Sequence, residues 1–315
     1  MDKRSLGVII ITTIMLLTAC NGDKEEQQNA EDQEAIEREQ AREAEAPQEE
    51  TDTASEEEET AEEGEKRQDE QDEQDEQDEA PVHSLDEILE RYEDEVPNEW
   101  GEHVTGVKTK INTEDQIVAL TFDACGGDYD QALIEYLKEK QIPATLFISG
   151  EWIDNHPDTL VELWENPMFD IANHGKDHKP LSVSGNSAYG IPGTASIEEV
   201  YDEVHGNHLK IKELTGHSTI FFRSGTAYYD EVAVRIVEDL GEIPVNYNVL
   251  GDAGATFSAA QIFESMIHAK PGSIMLFHMN HPNSDVAAGV KLGIEALREE
   301  GFEFVLLKDY IEELK

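Results

Sequence analysis

The sequence predicts an α/β fold built on about seven parallel strands, and three observations predict it. Short runs rich in apolar and β-branched residues fall at 117–122, 144–148, 169–173, 219–222, 243–249, 273–277 and 302–307. Stretches of helical length separate them, at 129–140, 157–164, 196–214, 230–240, 258–269 and 285–299, with 308–315 closing the chain. Strands alternating with helices at this spacing pair in parallel, in a sheet that is open or closed into a barrel. The third observation is the composition of the first run: Ile117 to Phe122 is almost continuously apolar, as a strand buried on both faces is.

Ahead of this region stands a different kind of chain. Residues 1–19 have the parts of an export signal, with Lys3 and Arg4, an apolar run over 6–17 and then small residues. That run is short for a membrane span. It ends in Leu17-Thr18-Ala19-Cys20, which resembles the lipobox of bacterial lipoproteins. The resemblance implies a diacylglycerol on Cys20 and a mature protein anchored to the bacterial cell membrane outside the cytoplasm. With Cys20 used in this way, the only other cysteine, Cys125, has no partner for an internal disulfide.

Residues 20–80 are low in large apolar side chains and finish in a D-E-Q repeat over 69–79. Such a segment buries too little surface to offset its ordering entropy, so it reads as a disordered, self-repelling tether. A role for the acidic repeat in binding cations or a basic partner is the alternative. The formal net charge of the whole chain is -48, and the acidity continues through the 81–315 region, which is long enough for one large domain. A surface this negative repels phosphate backbones and anionic head groups, which sets nucleic acid aside as a partner. Oligomeric state is not legible. Over 82–100 an amphipathic helical pattern (Leu85, Ile88, Leu89, Tyr92) stops before Pro97 and is expected to pack on the outside of the strand-and-helix region.

The candidate chemistry sits where strands end. Asp123 follows the first strand, His174 and His178 the third, Arg223 the fourth, Asp252 the fifth and His278 the sixth. In a β/α barrel, residues after the carboxyl ends of strands converge on one mouth. Asp123 alone reads equally well as the cap of the next helix. His174-Gly175-Lys176-Asp177-His178, taken alone, reads as a pair of surface histidines; beside Asp123 and His278 it reads as two metal ligands for zinc, cobalt or nickel.

Thr121-Phe122-Asp123, His174-x-x-x-His178, Arg223 with its turn, Asp252 and Leu276-Phe277-His278 resemble, in order and approximate spacing, the five motifs of the polysaccharide deacetylases, the NodB-homology or carbohydrate esterase family four domains. The resemblance runs from about Ile117 to the end of the chain. It implies a distorted (β/α) barrel and a divalent metal, usually zinc, that together remove acetyl groups from N-acetylated sugars or acetylated polysaccharides. Carried over by position, Asp123 is the general base, His174 and His178 bind the metal, His278 is the general acid, Arg223 orients the base and Asp252 tunes the acid. The turn after Arg223 would supply an oxyanion N–H, from Thr226.

The sequence departs from the family pattern at three places. The second Asp of the first motif, a metal ligand in the family, is Ala124 here, so the third ligand must be water, Asp128 or Cys125. Cys125 reads first as a buried structural thiol and second as that ligand. The R-x-P-Y turn is Arg223-Ser224-Gly225-Thr226, and the fourth motif lacks its Trp, leaving Phe257 or Leu276 as the apolar wall of an acetyl pocket. Asn280-His281-Pro282 either lines the pocket or turns the chain. Three functions follow as expectations: a lipid-anchored, metal-dependent deacetylase of a cell-envelope N-acetylated polysaccharide such as peptidoglycan; a deacetylase-like domain that binds glycan at the cell wall without efficient turnover; and, third, a metal- or solute-capturing lipoprotein.

Overall fold

A computed structural model of the chain describes residues 83–315. The export signal, Cys20 and the acidic segment lie outside the described residues. Among the described residues no helix is long and apolar enough to cross a membrane.

The first element is helix α1 (Leu85–Tyr92), capped by Ser84 and Glu87 in a reciprocal capping box. The expected amphipathic helix is therefore present; it covers Leu85, Ile88, Leu89 and Tyr92 and ends at Glu93. Then comes the alternation: β1 (Ile117–Ala124), α2 (Gln131–Lys140), β2 (Ala144–Ile148), α3 (Gly150–Asn155), α4 (Pro157–Trp164), β3 (Phe169–Asn173), α5 (Ile197–Thr215), β4 (Phe221–Phe222), α6 (Glu231–Asp239), β5 (Ile243–Pro244), β6 (Val249–Leu250), α7 (Ala259–Ile267), β7 (Ser273–His278), α8 (Val286–Glu299) and β8 (Glu303–Phe304). A 3-10 helix over Leu307–Glu313 replaces the expected terminal α-helix.

The strands pair in parallel in the order β5-β4-β3-β2-β1-β7-β6, with β8 beside the start of β1. This curled sheet with flanking helices is the distorted (β/α) barrel that the strand pattern and motifs imply. Alternation along each strand sorts its side chains into two layers. Val118, Leu120, Phe122 and Ala124 join the helix-side core with Leu133, Leu137 and Val290. Ile117, Ala119, Phe147, Ala172, Phe221, Ile274 and Leu276 form the inner layer of the curl. A third cluster packs α1, α5 and α6 around Phe222 and Tyr229.

The expected strand 243–249 is two short strands with a break, and the break has a physical cause. Val245 and Asn246 turn their carbonyls onto the Arg223 guanidinium, at 3.1 Å each, instead of onto a neighbouring strand. The Asn246 N–H donates to Lys108 O at 2.7 Å, so the segment ahead of β1 closes the seam between β5 and β7.

Asp230 caps α6 by accepting from the Ala233 N–H at 2.8 Å, and its other oxygen accepts from the Val183 N–H at 2.8 Å. Asp230→Ala removes both acceptors. The expected loss is about 1–2 kcal/mol in urea unfolding; an unchanged midpoint would mean that water replaces them without cost.

Candidate active site

The residues that end the strands share the parity of the inner layer. Asp123 follows Ala119 and Thr121 on β1, His278 follows Ile274 and Leu276 on β7, His174 follows Ala172, and Arg223 follows Phe221. Asp123 and His278 are register partners on adjacent parallel strands, so their side chains leave the sheet side by side.

Arg223 is fully buried and spends its donors on four oxygens. Besides the two carbonyls at the seam, Nη1 donates to Asp123 Oδ1 at 2.7 Å and to Thr121 Oγ1 at 3.0 Å. The guanidinium also lies 4.0 Å from the centre of the Phe147 ring. Burial by itself would raise the Asp123 pKa; Arg223, then His174, outweighs it and holds the carboxyl below its ordinary 3.8. Asp123 is therefore ionised at neutral pH, with Oδ1 fixed and Oδ2 directed at His174.

His174 lies 3.4 Å from Asp123 Oδ2 through Nε2. Its Nδ1 is 2.9 Å from the carbonyl of Arg223, an acceptor only, so Nδ1 carries the proton and Nε2 offers a lone pair in the neutral ring. Cys125 Sγ is 3.6 Å from the same Nε2. His178 stands across from it, ring centres 4.9 Å apart, and its Nε2 is buried with no hydrogen-bond partner. One ligand atom from each of Cys125, His174 and His178 lies within 4.8 Å of the others. A thiol sulfur and two imidazole nitrogens that converge, one of them orphaned, fit a divalent cation such as zinc with a coordination position left open.

Of the two protein side chains offered for the missing ligand, Cys125 lies with the two histidines and Asp128 lies apart. Asp128 is exposed and lines a separate cavity with Asn280, His281 and Pro282. Ala124 faces the helix-side core, and Cys125, one residue on, returns to the parity of Asp123. Its thiol is also acidified: burial would raise it, and the imidazoles of His174, His178 and His278 around it carry it well below its usual 9.0.

His278 is oriented by Asp252, which accepts from its ring Nδ1 at 2.9 Å and from its backbone N–H at 2.7 Å. Burial would lower the His278 pKa; Asp252 and then Cys125 reverse this and raise it well above 6.5. These groups open on a cavity of about 470 Å³ lined by Asp123, Cys125, His178 and His278 together with Thr226, Leu276 and others. Leu276 supplies the apolar wall, whereas Phe257 packs against the helix-side core. The Thr226 hydroxyl is buried without a hydrogen-bond partner. Backbone strain collects here: His178, Tyr189, Ala227 and Ala253 line the cavity with φ of 55°, 53°, 61° and 50°.

Several positioning residues escaped the motif reading. Glu203 on α5 accepts from the Asp177 and Lys179 N–H groups, at 3.0 and 2.9 Å, and so shapes the loop that carries His178. A Cβ on Gly225 would come within 2.3 Å of the His178 backbone, which is why the altered turn after Arg223 has glycine there. Asn280 donates to Gly126 O at 2.7 Å and pins the loop after Cys125. Gly225 and Asn280 lie in stretches the sequence singles out without assigning them this part; Glu203, an acidic residue at a helical position buried against a loop, carries a signal only once the fold is known.

Residues 110–243 match the family model described as polysaccharide deacetylase. Over that stretch the chain resembles a polysaccharide deacetylase. The matched stretch includes Asp123, His174, His178 and Arg223 and stops before Asp252 and His278. The chain is 23% identical over 210 residues to a bifunctional xylanase/deacetylase of Pseudobutyrivibrio xylanivorans, covering 66% of this chain and 33% of that one, so it spans a third of that relative's length. Among solved structures it resembles a family 4 carbohydrate esterase of Bacillus subtilis (TM-score 0.55, 20% identity, 73% of this chain and 89% of that one). A CE4 family pseudoenzyme of Bacillus anthracis is similarly related (TM-score 0.56, 19% identity, 65% of this chain and 68% of that one). At these identities the structural likeness is one of fold.

Arg223→Met leaves the Asp123 charge buried and unpaired. The expected loss is about 3–5 kcal/mol in chemical denaturation, with part of it regained on adding Asp123→Asn. Equal losses in the single and double variants would show that the guanidinium acts through its carbonyl contacts alone.

Proposed function

We propose that this protein is a metal-dependent hydrolase that removes acetyl groups from an N-acetylated polysaccharide of the cell envelope, peptidoglycan or a similar polymer, while anchored to the membrane through lipid on Cys20. The observation that carries the reading is an ionised carboxylate and a basic imidazole, Asp123 and His278, side by side on neighbouring strands above a Cys/His/His donor set. A glycan binder needs neither an acid nor a base. Bound at Cys125, His174 and His178, a divalent metal such as zinc or cobalt would polarise the acetyl carbonyl and acidify water.

The chain's own residues do the rest. Asp123 Oδ2 takes the proton from the attacking water while Arg223 holds the other oxygen. Arg223 weakens Asp123 as a base and in exchange keeps it ionised and fixed. His278, protonated and turned by Asp252, gives a proton to the departing nitrogen. Donors in the turn at Thr226 face the developing oxyanion.

A second reading, a glycan-binding domain with weak or no turnover, draws support from Ala124 at the family's ligand position and from the likeness to a pseudoenzyme. Acetate release from N-acetylglucosamine polymers with added zinc or cobalt separates the two. The expected result is release by the wild type and a loss of at least about 100-fold in His178→Ala, in line with the cost of losing a metal ligand or its support. Equal release in both proteins would exclude metal catalysis, and no release with retained glycan binding would favour the binder.

The pH profile tests the acid. His278 must be protonated to act, so its raised pKa extends activity upward past pH 6.5, and activity is lost as pH rises through the raised value. Asp123 must be ionised, and its lowered pKa puts that limit below 3.8. Asp252→Asn is expected to move the alkaline limb of kcat/KM to lower pH; a limb that stays in place would assign it to another group.

A further inference from the structure

The cavity has a second carboxylate that the hydrolysis above leaves unused. Glu102 belongs to the segment between α1 and β1, ahead of the matched region, and lines the same cavity as His278. Its two oxygens accept from two phenols, Tyr189 at 2.9 Å and Tyr247 at 3.1 Å. Burial first, and Glu102 after it, raises both phenol pKa values, so the hydroxyls stay protonated and donate. The Glu102 carbonyl accepts from Asn246 Nδ2 at 2.7 Å, and Asn246 in turn accepts from Arg223 at 3.1 Å. The Glu102 backbone is thus tied to the group that orients Asp123. No lysine or arginine is among the residues lining the cavity. At its rim, Tyr189 is 72% exposed and lies edge-on to Tyr228 at 5.4 Å, with Trp100 a further 5.6 Å from Tyr228.

A carboxylate held by two phenols keeps lone pairs free for hydroxyl or ammonium donors. Exposed aromatic faces beside it suit the apolar faces of sugar rings. A second carboxylate brought against Glu102 meets no lysine or arginine, and the cavity's imidazolium, His278, is already paired with Asp252; it loses hydration there, with like-charge repulsion added. We infer that Glu102, fixed by Tyr189 and Tyr247, is a sugar-binding group that admits neutral hexosamine units, or units with a freed amine, and rejects a unit bearing a carboxylate. The inference rests on the deacetylase reading for its substrate class and adds the sign of charge that the pocket accepts.

The test is calorimetric binding to the full chain in moderate and in 1 M salt, the latter reducing the reach of the protein's overall charge to about 3 Å. The probes are a dimer of N-acetylglucosamine, the same dimer with one acetyl group removed, and the same dimer carrying a lactyl ether carboxylate on both sugars. The wild type is expected to bind the first two at least about tenfold more tightly than the third in both salts. Glu102→Gln, which removes the charge and keeps one acceptor, is expected to narrow the ratio to about twofold. Tyr247→Phe, which frees one carboxylate oxygen, is expected to weaken the neutral and amine-bearing dimers. Equal binding of all three by the wild type, binding of none, or an unchanged ratio in Glu102→Gln overturns the inference. Binding needs no turnover, so selective binding without acetate release would defeat the hydrolase and leave this selectivity standing.

Discussion

The ion pair between Arg223 and Asp123 is the constraint around which this domain is built. A guanidinium with no exposure to water is tolerable only if its donors are met, and meeting them shapes the chain on three strands. Thr121 and Asp123 come from β1. Val245 and Asn246 turn their carbonyls to the guanidinium, Val245 keeping its N–H on Phe222 O, at the break between β5 and β6 where the segment around Lys108 pairs. The carbonyl of Arg223 then fixes the His174 tautomer, so one residue orders both the carboxylate and a candidate ligand.

Much of this was legible in the sequence because inner and outer layers follow a period of two. Placing Asp123, His174, Arg223 and His278 at strand ends puts them on one face once the strands are parallel, and that much needs no coordinates. The same arithmetic separates Ala124 from Cys125: the alanine falls in the helix-side layer and the cysteine falls back in line with Asp123. The ends of the strands were less legible. The run 243–249 has the composition of one strand, and only the demand of a buried arginine for carbonyls, a long-range effect, breaks it.

Other parts lay beyond sequence reasoning because they join elements far apart in the chain. Glu203 supports the His178 loop from the middle of a helix whose pattern marks it as an ordinary acidic surface. Glu102 reaches the cavity from the segment ahead of the barrel and meets tyrosines 87 and 145 residues away. Strained left-handed conformations at His178, Tyr189, Ala227 and Ala253 mark the same cavity, since non-glycine residues stay there only where surrounding contacts hold them.

The proposed chemistry depends on Cys125, His174 and His178 meeting around one cation beneath Asp123. The most direct measurement is the absorption spectrum of the full chain titrated with cobalt(II), which accepts the same donors as zinc and reports sulfur ligation. A Cys/His/His site predicts a near-ultraviolet thiolate-to-cobalt band that saturates at one equivalent and disappears in Cys125→Ser. A cobalt complex that forms without that band, or a band that survives the substitution, would contradict it.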